Sequence, residues 1–375
     1  MNSWPNSLAS LLRLLGDRPR RLNLLSSLNG RRALESGPRI TVVGGGTGLP
    51  SLIRGIKHYS HNITAIVTMA DDGGSSGRLR SELGIQPPGD IRNCLVAMAD
   101  SEAVMQQLMD YRFSSGGQLN GHSFGNMLIA ALAGIGGDFY RAVEIAGELL
   151  AIRGRVIPST TNDVTLRART ETGEILIGET RVASASARIH SLSLSPPSPQ
   201  AHPEAVAALE EADLIIIGPG SLYTSIVPNL LIPGIAQALA DSRGLKIYVC
   251  NVAEEPRQTE GYSVQDHLAV VQRYSGIDSV HAVIANASIP AGPTPAGLDF
   301  IRALRPWEAN TLLIEADVID EFATARHDPA KLARAVAATY RSHRGKRRRL
   351  PRPKPAPAAL RTADRELRSE ALCGD

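Results

Sequence analysis

A chain of 375 residues, 43% hydrophobic and 21% charged, excludes a peptide-sized fold, a collagen-like chain and a wholly disordered one. The net charge of +3 is unevenly spread: residues 1–38 carry +4, residues 341–375 carry +7, and residues 39–340 carry −8. An acidic body with 15 aromatic residues lacks the basic field and stacking platform of a polynucleotide binder, so an anionic ligand must be small and held by local backbone donors and a few arginines.

In chain order, Leu8, Leu11, Leu12 and Leu15 fall at helical spacing in a leader of residues 1–38, read either as an amphipathic helix for a partner or membrane surface, or as a frayed chain end. Charges from Arg13 to Arg21 interrupt these leucines, so no signal segment or transmembrane span is predicted. Residues 40–43 form a β-branched run that meets Gly44 to Gly48 and then a helical pattern over residues 49–57, which predicts strand, glycine loop and helix. Gly45, Gly46, Thr47 and Gly48 either let the backbone approach a phosphate or make a tight strand-to-helix corner. A second buried strand over residues 63–69 ends in a polar loop. There Asp71 and Asp72 can accept ribose hydroxyls, hold a hydrated Mg²⁺, or cap the next helix, while Ser75 and Ser76 offer oxyanion donors.

Residues 87–93 are a rigid turn into a helix that carries Asp90, Arg92 and Asn93 in its first turn. Arg92 either clamps a phosphate or pairs with Asp90 or another nearby carboxylate. Helical patterns are predicted over residues 91–109, 124–133 and 140–150. His122 and Asn126 again place polar groups at a helix start, where Ser123 can equally be a simple N-cap and His122 a surface residue. Residues 164–189 change character and predict an inserted β-hairpin within an otherwise parallel fold. The strand and helix alternation resumes at residues 214–217, whose loop holds Gly220, Ser221, Tyr223 and Thr224, and continues with strands at 246–250 and 280–285. From residue 341 onward Pro, Ala and Arg dominate, which predicts a basic disordered tail after one nucleotide-binding domain over residues 39–340. Cys94, Cys250 and Cys373 show no paired spacing, so a reducing cytosol suits them better than a disulfide framework or zinc site.

Seven segments occur in a fixed order: GGGTGLPSLIRGIK, TAIVTMADDGGSSGRLR, PPGDIRNCLVAMAD, HSFGNMLIAAL, VIPST, LIIIGPGSLYTSIVPNLL and YVCNV. Through them, residues 39–286 resemble the YvcK-type gluconeogenesis factors, relatives of CofD, the 2-phospho-L-lactate transferase. The resemblance implies a cytoplasmic protein with a Rossmann-like three-layer α/β/α fold of the CofD type and a mostly parallel sheet. It implies binding of a UDP-sugar such as UDP-N-acetylglucosamine, without an established reaction, in support of cell shape and peptidoglycan synthesis on gluconeogenic carbon sources. No cofactor is certain, and Mg²⁺ at Asp71 and Asp72 is an open expectation. A homo-oligomer working with cell-wall synthesis proteins is expected, and no specific nucleic acid.

Carried over motif by motif, Gly45 to Gly48 and Gly220, Ser221, Tyr223 and Thr224 would sit near the diphosphate or nucleoside. Asp71, Asp72, Ser75, Ser76, Asp90, Arg92, Asn93, His122, Asn126, Asn229 and Asn251 would line the rest. The chain departs from the group at residues 253–260, where Glu254 and Glu255 add carboxylates, and it matches poorly after Ile289. The alternative is a Mg²⁺-dependent transferase of a phosphate-bearing group from a nucleotide-activated donor.

Overall fold

The computed structural model describes residues 34–349 except residues 36, 101, 115–116, 277–279, 289–298 and 308–309. The leucine pattern of the leader and the tail beyond residue 349 therefore lie outside the described residues. Strand β1 (Ile40–Gly44) is buried at every position, as a strand covered on both faces must be, and leads into α1 (Gly48–Ile56). β2 (Ile63–Val67) is equally buried. It is followed by α2 (Gly74–Leu83), α3 (Gly89–Met98), α4 (Glu102–Asp110), α5 (Phe124–Gly136) and α6 (Phe139–Leu149). After β3 (Arg155–Pro158) the chain departs into β4 (Thr165–Thr170), β5 (Ile175–Ile177), α7 (Glu179–Ala183) and β6 (Ile189–Ser195).

It returns through α8 (Pro203–Glu210) to β7 (Leu214–Ile217), a π-helical turn (Leu222–Ile226), α9 (Val227–Leu230) and α10 (Pro233–Asp241). The remaining elements are β8 (Leu245–Val249), α11 (Val264–Ser275), β9 (Ala282–Asn286), β10 (Leu312–Ala316) and α12 (Pro329–Arg349). Seven strands form one sheet in the order β10-β9-β8-β7-β1-β2-β3, every pairing parallel, flanked by helices. β2 and β3 extend from one side of β1, and β7 to β10 from the other. The strand order thus reverses between β1 and β7, the point where open α/β sheets leave a crevice at the strands' carboxyl ends. The chain divides after Thr339, and a second unit begins at Tyr340; among the described residues that unit has the Arg344 guanidinium over the Tyr340 ring.

The α/β class and mostly parallel sheet agree with the sequence reading, while several local expectations change. The predicted hairpin is β4 and β5, but β6 pairs on β4's other side to make a three-stranded antiparallel sheet. Its Ile189, Leu192 and Leu194 are buried between exposed neighbours, the pattern of a strand covered on one face. The helix expected over residues 91–109 breaks at Ala99, which turns extended and bridges to Ile152. Residues 74–77, read as loop, begin α2. At the other end, α12 continues through Arg349 because residues 341–349 lack proline and are rich in good helix formers. No single helix among the described residues is long and apolar enough to cross a membrane.

Candidate functional site

The loops after β1 and β7 meet at the reversal of strand order. A Cβ on Gly48 would lie 2.7 Å from the Pro219 carbonyl oxygen, and one on Gly220 would lie 3.1 Å from the Gly45 carbonyl oxygen, so glycine at both positions lets the two backbones touch. The buried Asn229 carboxamide locks this junction by donating to the carbonyls of Gly44 (3.1 Å) and Ser225 (2.8 Å). Thr47 supplies no side-chain cap to α1, and no acidic residue stands in its first turn. The helix therefore presents its first N–H groups and positive dipole end to the crevice, the arrangement that holds phosphate.

On the β8 side, Asn251 accepts from the Gly220 N–H (3.3 Å) and donates to Glu255 (3.4 Å). A cavity of about 310 Å³ opens there between the glycine loops, residues 251–256 and residues 325–327. Burial pushes the Glu255 carboxyl up against hydrogen bonds from Ser221 and the Leu222 N–H. His327 is buried, its Nε2 donates to the Cys250 carbonyl (3.1 Å), and burial lowers its pKa to about 4. Arg326 lines the same cavity.

The β2 side is a wall of carboxylates. Asp90 accepts from the Gly46 N–H (2.6 Å), and burial, with the charge of Asp71 added, pushes it up to about 6. Asp71 is also raised, chiefly by burial, although it accepts from the Gly73 N–H (2.9 Å) and from Ser76. Glu179, from the antiparallel insertion, is pushed up to about 7 by burial and then by Asp71, while a hydrogen bond from Thr224 works against the shift. Asp72 is differently engaged: it accepts from the N–H (2.9 Å) and hydroxyl (2.7 Å) of Thr180 and so holds the start of α7. The expected Asp71 and Asp72 pair is thereby divided, and Asp90 faces Asp71 in its place. Among the described residues no three His, Cys, Asp or Glu side chains converge to hold a metal.

Other expected site residues form the support beneath this wall. Arg92 is buried and donates to Ser123 (2.6 Å) and Asn93 (2.8 Å), with Asp110 at 3.2 Å, so its guanidinium is spent on an internal network rather than held out as a phosphate clamp. His122 is buried, not on the surface, and shares a 2.9 Å hydrogen bond with Ser75. Ser76 accepts from the Gly89 N–H (3.1 Å). Asn126 is buried with its backbone N–H on the Ser123 cap (3.3 Å), and its side-chain oxygen has no partner. Tyr223 is buried and shares a 2.8 Å hydrogen bond with the Tyr262 hydroxyl. Two site residues carried no sequence signal: Glu179 stood in an unremarkable hairpin, and His327 lay in the poorly matching C-terminal segment.

A sequence profile of the CofD family, described as 2-phospho-L-lactate transferase CofD, matches residues 40–298. The chain is 46% identical over 250 residues to the gluconeogenesis factor of Bacillus subtilis strain 168, covering 67% of this chain and 79% of that one. It is 44% identical over 247 residues to the gluconeogenesis factor of Halalkalibacterium halodurans, covering 66% and 77%. Its fold is similar to the crystal structure of a UPF0052 family protein from Bacillus halodurans, with a TM-score of 0.74 and 38% identity across 80% of this chain and 99% of that chain.

Proposed function

The chain belongs to the CofD family, among its gluconeogenesis factors, and from that premise we propose that its crevice binds a nucleotide sugar of the UDP-N-acetylglucosamine type. The protein then acts as a cytoplasmic binding regulator that links carbon supply to cell shape and peptidoglycan synthesis, as a homo-oligomer with cell-wall synthesis proteins as partners. One observation carries the binding reading: two glycine loops touch at the sheet's reversal point, with the uncapped start of α1 beside them. A diphosphate suits that junction, because backbone N–H groups neutralise it where few free cations stand. The nucleoside and sugar then extend to the two sides.

The facing carboxylates of Asp71 and Asp90 fit Mg²⁺ in the mode in which one or two carboxylates and substrate phosphates share the ion. Such an ion would supply charge neutralisation at the diphosphate. The test is calorimetric titration with UDP-N-acetylglucosamine, UDP-glucose, GDP and NAD, with and without Mg²⁺, followed by analysis of the recovered ligand. Uracil-selective binding with intact ligand supports the regulator, and absence of binding overturns it.

A second reading, a transferase of a phosphate-bearing group, is favoured by one observation. Asp90 and Glu179, held at about 6 and 7, stand in the range where carboxylates exchange protons near neutral pH. Consumption of the ligand in the same titration selects this reading.

A further inference from the structure

His327 is fixed by backbone and ring together. Its residue bridges to Ile319, the neighbouring Asp328 N–H donates to the Val318 carbonyl (2.9 Å), and its ring reaches the Cys250 carbonyl at the end of β8. A carbonyl oxygen only accepts, so Nε2 carries the hydrogen. Burial keeps the ring neutral near pH 7, which leaves Nδ1 as a bare lone pair. Nδ1 has no hydrogen-bond partner among the described residues, and the ring lines the cavity beside the glycine loops. The cavity's other walls include the apolar Pro219, Val252, Ala253 and Ala325, and its volume of about 310 Å³ admits a flat ring with a ribose. Asn251 and Glu255 offer acceptors for ribose hydroxyls beside it.

We propose that His327 reads the base of the bound nucleotide, its Nδ1 accepting a hydrogen bond from a ring imino N–H, so that the crevice takes uracil and rejects cytosine. The inference rests on the nucleotide-sugar reading above and goes beyond it, because it names the residue that sets base selectivity. Uracil and cytosine have nearly the same shape. They differ at N3, which bears a hydrogen in uracil and a lone pair in cytosine. Against a fixed acceptor, cytosine sets lone pair against lone pair and leaves both unsatisfied, the situation in which polar sites discriminate most strongly.

The experiment measures dissociation constants of UDP, CDP and 3-methyl-UDP on the full chain and on His327→Phe, with thermal melts confirming that the variant is folded. The wild-type protein is expected to bind UDP at least about tenfold more tightly than either analogue, and His327→Phe is expected to bring the three affinities together. His327→Asn, which can return an acceptor near the Nδ1 position, is expected to restore part of the preference. Equal binding of UDP and 3-methyl-UDP by the wild-type protein overturns the proposal without reference to any variant, and so does a preference that survives in His327→Phe. Failure of the wild-type protein to bind any of the three is a different result: it removes the nucleotide reading itself.

Discussion

The two walls of the crevice are built on different electrostatic plans. On the β2 side, burial raises Asp71, Asp90 and Glu179, and the charge of Asp71 adds to the shifts of the other two, so the wall gains from any cation brought to it. On the β8 side, His327 is held neutral and Asn251 bonds to the Gly220 backbone, so recognition there runs through directional hydrogen bonds. Between them lie backbone N–H groups of the glycine loops and α1. The contrast teaches that a sheet with one reversal point can set three chemistries side by side: backbone N–H groups at the centre, the directional hydrogen-bond groups of His327 and Asn251 on one wall, and buried carboxylates on the other.

The sharpest way to break this arrangement is Gly48→Val, which forces the β1 loop away from the Pro219 carbonyl and separates the walls. We expect a loss of more than about 3 kcal/mol in chemical denaturation, or no folded protein. Asn229→Ala removes the two hydrogen bonds by which its carboxamide ties the junction. It should cost about 2 kcal/mol of stability and weaken binding of UDP-N-acetylglucosamine together with it.

The pH dependence of stability separates the walls by sign. A carboxyl raised in the folded protein binds protons more readily there than in the unfolded chain, so Asp90 erodes stability as pH rises from about 4 to about 6, and Glu179 does so from 4.5 to about 7. His327, lowered from 6.5 to about 4, acts in the opposite sense: its contribution is lost as pH falls across that window. Asp90→Asn should therefore stabilise by about 1–2 kcal/mol near pH 8 and have little effect near pH 4. His327→Asn should instead flatten the loss on the acid side. Melting curves across this range in which both variants shift in the same direction would remove the contrast. The smallest effect is expected for Asp72→Ala, which frees the start of α7 at a cost of about 1 kcal/mol and should raise protease cleavage within the insertion.

Much of this was legible in the sequence wherever a local rule decides the outcome. The β-branched runs before Gly44 and Gly218 are buried parallel strands, and the glycines after them do open the crevice. Long-range pairing was not legible. For Asp72 and Arg92 the sequence left a ligand role and a structural one side by side, because nothing nearby revealed that Thr180, 108 residues on, would engage Asp72, or that Asp110 and Ser123 would engage Arg92. β3 is only four residues long and ends in proline, and in β10 the apolar run stops after three residues at Glu315, so neither shows the longer run that marks a buried strand. Glu179 gained meaning only from the fold, which sets a charged residue of the insertion against the carboxylates that follow β2.

The Asn229 tie has a bearing on how the protein is made. Its carboxamide closes onto Gly44, 185 residues earlier, an interval of roughly 10–40 s at ordinary rates of translation. Throughout that time the β1 loop on a nascent chain lacks the neighbouring strand and turn that complete the crevice. His327 emerges later still. On the proposed reading a ligand of this crevice does not template early folding on the ribosome, and its occupancy marks a chain synthesised beyond His327.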